Sequence, residues 1–400
     1  MEQDNNKYLT IESKFKYVIF VIIRTLLLPL CRLLYGSKRK WLICERGDDA
    51  QDNGFIFYDF LIRNHKEIHP IFLIKKDSPD YLKVAKLGRI ALFGSIKHFL
   101  MCIGCRVKIS SNLYGYAPWI VMEKFFRRNK TKDIHVFLQH GIVKNYHDSF
   151  HSKNNKSLSL FVSGARPEFD YLVKSLGYPN GVIQYTGLPR FDNLFDCSGG
   201  SNVILIMPTW RTYLKGSNFE DFKNSDFYKK WISLLQDEKF TSLASKNGIK
   251  IYLYLHHELQ EYLPLFTNLK HIILISYTDN TVQQLLIDSR LLITDYSSVY
   301  FDFAYMYKNV LFYQFDENDY YNKHYARGYF DYRKANLGNV FTSKNELIDN
   351  VSVILSKNYI LDEERIRSID YYFPVRDKNN SERVFESIMN LLGFPEHPKH

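Results

Sequence analysis

The sequence predicts an α/β protein built as two similar halves, each a largely parallel sheet with helices on both faces. Three observations carry this reading. Short apolar runs rich in β-branched residues recur along the chain, each followed by a polar loop and a segment of helical period. The alternation restarts after the loop CSGGSN at 197–202. The conspicuous polar residues His140, Thr209, Arg211, His256 and Asp295 to Ser298 all fall just after predicted strands, where such sheets bind ligands.

Size and composition agree. A chain of 400 residues that is 46% hydrophobic exceeds one typical domain. The expected division is residues 1–36 as a tail and membrane-associating helix, 37–198 as a first Rossmann-like domain, and 199–400 as a second. The net charge of +10 points to an anionic partner. Nucleic acid is excluded as that partner, because no RNP, KH, zinc-finger or helix-turn-helix pattern is present and the charge is not gathered in one stripe. The 30 Tyr and 30 Phe argue against disorder. Five cysteines are an odd number; Cys102 and Cys105 lie in an apolar run and read as buried free thiols, with no second pair to complete a zinc site.

In chain order, Phe15 to Tyr35 is long and very apolar. On a helical wheel Lys14, Lys16, Arg24, Thr25 and Arg32 share about half the circumference. This predicts a basic amphipathic helix lying in a membrane interface, with GSKRK at 36–40 adding charge for anionic lipid. Strands are expected at 40–44, 70–74, 88–93, 107–110, 134–139, 158–163 and 182–186, then at 203–207, 249–255, 272–276, 291–294 and 310–313. A C-terminal amphipathic helix is expected over 371–392. No Walker A motif, G-x-G-x-x-G or internal repeat is visible.

The stretch LLITDYSSVYFDFAY at 291–305 organises the rest. It reads as a buried strand, a tight polar turn and a helix opening on hydroxyls. The first N–H groups of a helix lack intrahelical partners and carry partial positive charge, so Asp295, Ser297 and Ser298 outline a phosphate site or an ordinary N-cap. His140, followed by Gly141, can serve as a general base after its strand. His256 and His257 end another strand; one of them can donate to a phosphate oxygen while the other faces solvent. Arg211 and Arg327 are further phosphate candidates.

Taken together, ERGDDAQDNG (45–54), HGIVKN (140–145), GLPRFDNL (187–194), MPTWR (207–211), the His256 region, ITDYSSVYFDFA (293–304) and RGYFDY (327–332) resemble the CDP-glycerol:glycerophosphate glycerophosphotransferases of teichoic acid and capsule synthesis. The resemblance implies a GT-B-like fold, with a first, acceptor domain and a second, CDP-donor domain facing a cleft. It implies His140 as the base for an acceptor hydroxyl, and His256 with Asp295, Ser297 and Ser298 at the donor diphosphate. The matched motifs also bring Gly141, Lys144, Asp52, Asn53 and Arg190 to the acceptor side or the cleft. Implied partners are CDP-glycerol or a related CDP-alditol, a lipid-linked or polymeric acceptor, and the anionic cytoplasmic face of the membrane. No cofactor is implied, and no carboxylate cluster compels a metal. Leu138–Gln139 before the first His, Tyr254–Leu255 before the second and Lys378 after Asp377 depart from the family pattern. Alternatives are a CDP-ribitol enzyme, a glycosyltransferase on the same fold using a nucleotide sugar, and a non-catalytic polyanion-binding protein at the membrane.

Overall fold

A computed structural model of the chain describes residues 11–196, 199, 201–267 and 269–394. Two compact units emerge. One comprises the described parts of Met1–His140, Asp148–Asp192 and Asp377–His400; the other comprises Gly141–His147 and the described parts of Asn193–Arg376.

The first unit holds a seven-stranded parallel sheet. Its strands are β1 (Lys40–Cys44), β2 (His69–Ile74), β3 (Ile90–Leu92), β4 (Val107–Ser110), β5 (Ile134–Phe137), β6 (Leu158–Ser163) and β7 (Ile183–Tyr185), in the order β3-β2-β1-β4-β5-β6-β7. Strand β1 is an interior strand beside the central β4, with Leu42 opposite Ile71 on one side and Lys108 on the other. Its unbroken run Trp41 to Cys44 is wholly buried, as a strand covered on both faces requires. The chain winds outward from β1 to β3, then returns to β4. The sheet therefore reverses direction between β1 and β4, and Glu45 and Ser111 stand at that reversal.

The second unit repeats the scheme with β8 (Val203–Met207), β9 (Lys250–Tyr254), β10 (Ile272–Ile275), β11 (Leu291–Thr294), β12 (Asn309–Tyr313) and β13 (Asn339–Phe341). All pairs are parallel, in the order β10-β9-β8-β11-β12-β13. Here the reversal falls between β8 and β11, where Thr294 pairs with Met207. A core around Trp231, Phe222 and Tyr262 covers one face, the last two rings stacked with centroids 3.9 Å apart.

Two expectations need correction. The C-terminal segment is two helices, Glu363–Tyr372 and Asn380–Leu391. Pro374 forces the break: Phe373, before it, sits at φ −130° and ψ 67°, outside the helical region. The second of these helices belongs to the first unit. Asp192 accepts from Asn380 N and Ser381 N, each at 2.8 Å, and so caps its N-terminus.

The N-terminal helix, Ile11–Tyr35, turns its arginines inward. The Arg24 guanidinium lies 4.5 Å from the Phe125 ring, and Arg32 binds Gly104 O at 2.8 Å and the carboxylate of Asp133. Asp133 is buried beside Lys108, 2.8 Å away. Burial would raise its pKa, but Lys108, His135 and Arg32 outweigh that and hold it down at about 2. A buried carboxylate thus draws Arg32 toward the protein. The helix's outward face is apolar: Phe15, Val18, Ile22, Leu26 and Leu33 are exposed. A helical wheel shows which residues share a face, not which medium that face meets. By length and composition this helix could cross a membrane over Lys14–Tyr35.

Cys31, Cys44, Cys102 and Cys105 are buried free thiols; Cys197 lies outside the described residues.

Candidate active site

In the second unit the site grows from the reversal point of the sheet. Strand β11 is fully buried and ends at Asp295, itself buried. Asp295 Oδ1 accepts from Thr209 N at 2.8 Å and from Tyr296 N at 2.6 Å, tying together the carboxyl ends of β8 and β11. Its Oδ2 receives Arg211 Nη2 at 2.8 Å. Arg211 also binds Asp316 through Nε (2.9 Å) and Nη2 (3.0 Å), and Thr209 O through Nη1 (2.7 Å). Its guanidinium lies 5.1 Å from the rings of both Tyr296 and Tyr320, which stack on each other at 3.8 Å. Burial alone would lower the Arg211 pKa; Asp295 and Asp316 outweigh it and raise it. Arg211 and Asp295 therefore hold the turn in shape, and their charges satisfy each other. At the same point Thr209 Oγ1 is buried with no protein hydrogen-bond partner.

Ser297 and Ser298 follow on the turn. The helix after them, Val299–Tyr305, has only seven residues, and the Ser298 side chain makes no capping hydrogen bond. Gly141 stands against Ser298: a Cβ on Gly141 would lie 2.8 Å from Ser298 Oγ. A side chain there would have to push the Ser298 hydroxyl aside. Lys144, three residues on, is buried and donates to Tyr296 O at 2.5 Å and Tyr332 OH at 2.7 Å. Burial lowers its pKa to about 7, with Asp295 opposing and Arg211 assisting. Gly328 gives the same segment room, since a side chain there would run into Lys144 O.

His256 Nδ1 accepts from Glu258 N at 3.3 Å, which assigns the proton of the neutral ring to Nε2. Trp210 stacks on it with a 6.0 Å centroid distance. Arg327 lies on the surface, bonded to Glu317 at 2.7 Å and over the Tyr321 ring, so it does not join the Arg211 cluster.

In the first unit, three loops converge. Glu45 accepts from Gln51 N, Asp52 N and Phe55 N at 2.9, 2.9 and 2.7 Å, which fixes the start of the helix Asn53–Asn64. Asn53 Nδ2 donates to Gln139 O at 2.8 Å, and its Oδ1 accepts from Arg190 N at 2.9 Å. Arg190 Nη1 reaches Asp52 at 2.8 Å and His140 O at 2.7 Å. Asp52, Asn53, Arg190 and the His140 backbone thus form one network, and the His140 side chain is exposed. Gln139, just before it, has φ +63°. That left-handed conformation is uncommon for a non-glycine residue and is held by surrounding contacts.

Motif reading missed Asp316 and Tyr320. They come from the helix Glu317–Lys323 and the residue before it, about a hundred residues from Arg211, and carry no local signature. The helix's run of tyrosines was the available signal. Among the described residues, no group of three or more His, Cys, Asp or Glu side chains is arranged to hold a metal ion.

Comparisons with known proteins bear on the family and the fold. The chain is 32% identical over 370 residues to the minor teichoic acid biosynthesis protein GgaB of Bacillus subtilis, covering 90% of this chain and 40% of that protein. It is 25% identical over 259 residues to the teichoic acid ribitol-phosphate polymerase TarL of Staphylococcus aureus, covering 60% and 42%. The chain thus spans about two-fifths of the length of these relatives. Among solved structures, the wall teichoic acid polymerase TagF superposes with a TM-score of 0.69 at 16% identity, over 95% of this chain and 97% of that one; this establishes the fold, which is GT-B-like. The profile of the CDP-Glycerol:Poly(glycerophosphate) glycerophosphotransferase family matches residues 28–390, and the chain belongs to that family.

Proposed function

We propose that the chain transfers a polyol phosphate, glycerol phosphate in the first instance, from a CDP-alditol to a hydroxyl of a lipid-linked or polymeric acceptor, releasing CMP, in teichoic acid-like or capsular polymer synthesis. The observation that carries this reading is the family match across residues 28–390. The Asp295–Ser298 turn at the reversal of the second sheet supports it, since ligands of such sheets bind there.

In this mechanism His140 takes the proton of the acceptor hydroxyl. The oxygen attacks the β-phosphorus of the donor, and the bond from that phosphorus to the CMP oxygen breaks. His256, through Nε2–H, and the hydroxyls of Ser297 and Ser298 stabilise charge on the diphosphate. Arg211 positions the turn that presents them. Lys144 ties the Gly141–His147 segment, which begins one peptide bond after His140, to the same turn. Asp52, Asn53 and Arg190 hold the His140 backbone on the acceptor side. A base of this kind contributes roughly 10²–10⁴-fold.

The second reading is a ribitol phosphate donor, favoured by the relative named as a ribitol-phosphate polymerase. The protein would work at the cytoplasmic face of the membrane, attached peripherally by the exposed apolar face of Ile11–Tyr35. The deciding assay is CMP release from CDP-glycerol and CDP-ribitol with a lipid-linked acceptor. Release is expected, and His140→Ala should abolish it while donor binding persists. Turnover of a UDP-sugar with no release from either CDP-alditol would overturn the assignment.

A further inference from the structure

The segment RGYFDY, residues 327–332, has two faces. Gly328 and Tyr332 stand against Lys144, as described above. Tyr329 and Asp331 instead line an open surface cleft of about 390 Å³ that includes none of the residues proposed to handle the donor. The helix Glu363–Tyr372 supplies the opposite wall. This volume lies at the smaller end of known ligand sites, ~300–1,000 Å³.

Its lining has a definite chemical character. Three tyrosines contribute aromatic surface: Tyr329, the buried Tyr372, and Tyr371, which is 63% exposed at the rim. Four charged side chains accompany them, Asp331 and Glu364 against Lys334 and Arg367. Two of each sign leave no net charge. A phosphate or nucleotide would meet two carboxylates as well as two cations, so nothing here selects a polyanion. Among the described residues the cations form surface pairs, Lys334 with Asp331 at 3.7 Å and Arg367 with Glu363 at 3.3 Å, which hold weakly and exchange readily. Asp331 Oδ1 is taken up in capping the helix Tyr332–Ala335, accepting from Arg333 N and Lys334 N, so Glu364 is the acceptor and Lys334 and Arg367 the donors that vicinal hydroxyl groups would meet. A tyrosine face suits the apolar C–H face of a pyranose ring.

We propose that this cleft is a binding subsite for a neutral sugar residue, separate from the Asp295 turn. The idea goes beyond the transferase reading and does not rest on it, because binding is measured without turnover. Saturation-transfer NMR on the full chain would use the methyl glycosides of glucose, galactose, N-acetylglucosamine and N-acetylgalactosamine, with CMP and inorganic phosphate as competitors. Transfer to at least one glycoside is expected, undisturbed by CMP or phosphate. Tyr371→Ala, which removes an exposed ring, and Ser368→Trp, which fills the cleft, should each weaken it about tenfold. Absence of transfer to all four glycosides would overturn the proposal. So would a signal unchanged in both variants, displacement by CMP, which would put the sugar in the nucleotide site, or displacement by phosphate, which would make this an anion site.

Discussion

Arg211 and Asp295 form an ion pair, Nη2 to Oδ2 at 2.8 Å, with neither side chain exposed. Removing the arginine would leave Asp295 and Asp316 as buried carboxylates without their cation, a change that typically costs ~3–5 kcal/mol. Arg211→Ala should lower the urea midpoint accordingly, and Arg211→Lys should recover only part, because an ammonium cannot span both carboxylates as the guanidinium does. An unchanged midpoint in the alanine variant would show that the pair does not hold the turn.

Gly141 and Ser298 should be energetically coupled. Gly141→Ala places a methyl group against Ser298 Oγ, while Ser298→Ala removes that oxygen. The glycine change should therefore cost less in the Ser298→Ala background, by ~0.5–3 kcal/mol in a double-mutant cycle. Additive effects would mean that the two residues do not meet in solution.

Lys144 gives a pH dependence of definite sign. Burial brings its pKa from 10.5 to about 7 in the folded protein. Between those values the unfolded chain binds the extra proton, so stability rises with pH across that window and is lost as pH falls toward 7. Lys144→Met should flatten this rise in urea unfolding series run from pH 7 to 10. A slope identical to that of the parent protein would exclude Lys144 as its source.

The inward arginines separate two roles of the N-terminal helix. Ile22→Glu with Leu26→Glu, on the exposed face, should release the protein from lipid vesicles and leave its unfolding transition in place. Arg32→Ala should do the reverse, lowering stability through the loss of its bond to buried Asp133 while vesicle binding persists. Loss of vesicle binding in the arginine variant alone would restore the view that its charge meets the lipid.

Much of this was legible in the chain itself. The strand Leu291–Thr294 stood out because a parallel strand covered on both faces must be continuously apolar, and the turn after it because Asp and Ser crowd a helix start. The Asp52–Asn53 and Arg190 motifs, far apart in the chain, share one hydrogen-bond network. Other relationships had no local trace. Arg211 meets Asp316 across 105 residues, and Arg32 meets Asp133 across 101. A periodic pattern reports a face but not its neighbour, so the arginines of the first helix were expected to point toward lipid. Pro374 was a visible helix breaker, and reading one helix through that region overlooked its missing N–H.

Gln139 has a backbone twist usually left to glycine, yet it keeps a long side chain. That side chain is fastened by its amide nitrogen to Val162 O at 2.5 Å and to Glu168 at 3.1 Å. Glu168 in turn is clamped by Ser163 and Gly164 at the mouth of the helix Arg166–Ser175. The backbone entering His140 is therefore held from behind, by the interior carboxylate of Glu168. For the base proposed at His140, a change at Glu168 would loosen its bearing without touching the residue itself.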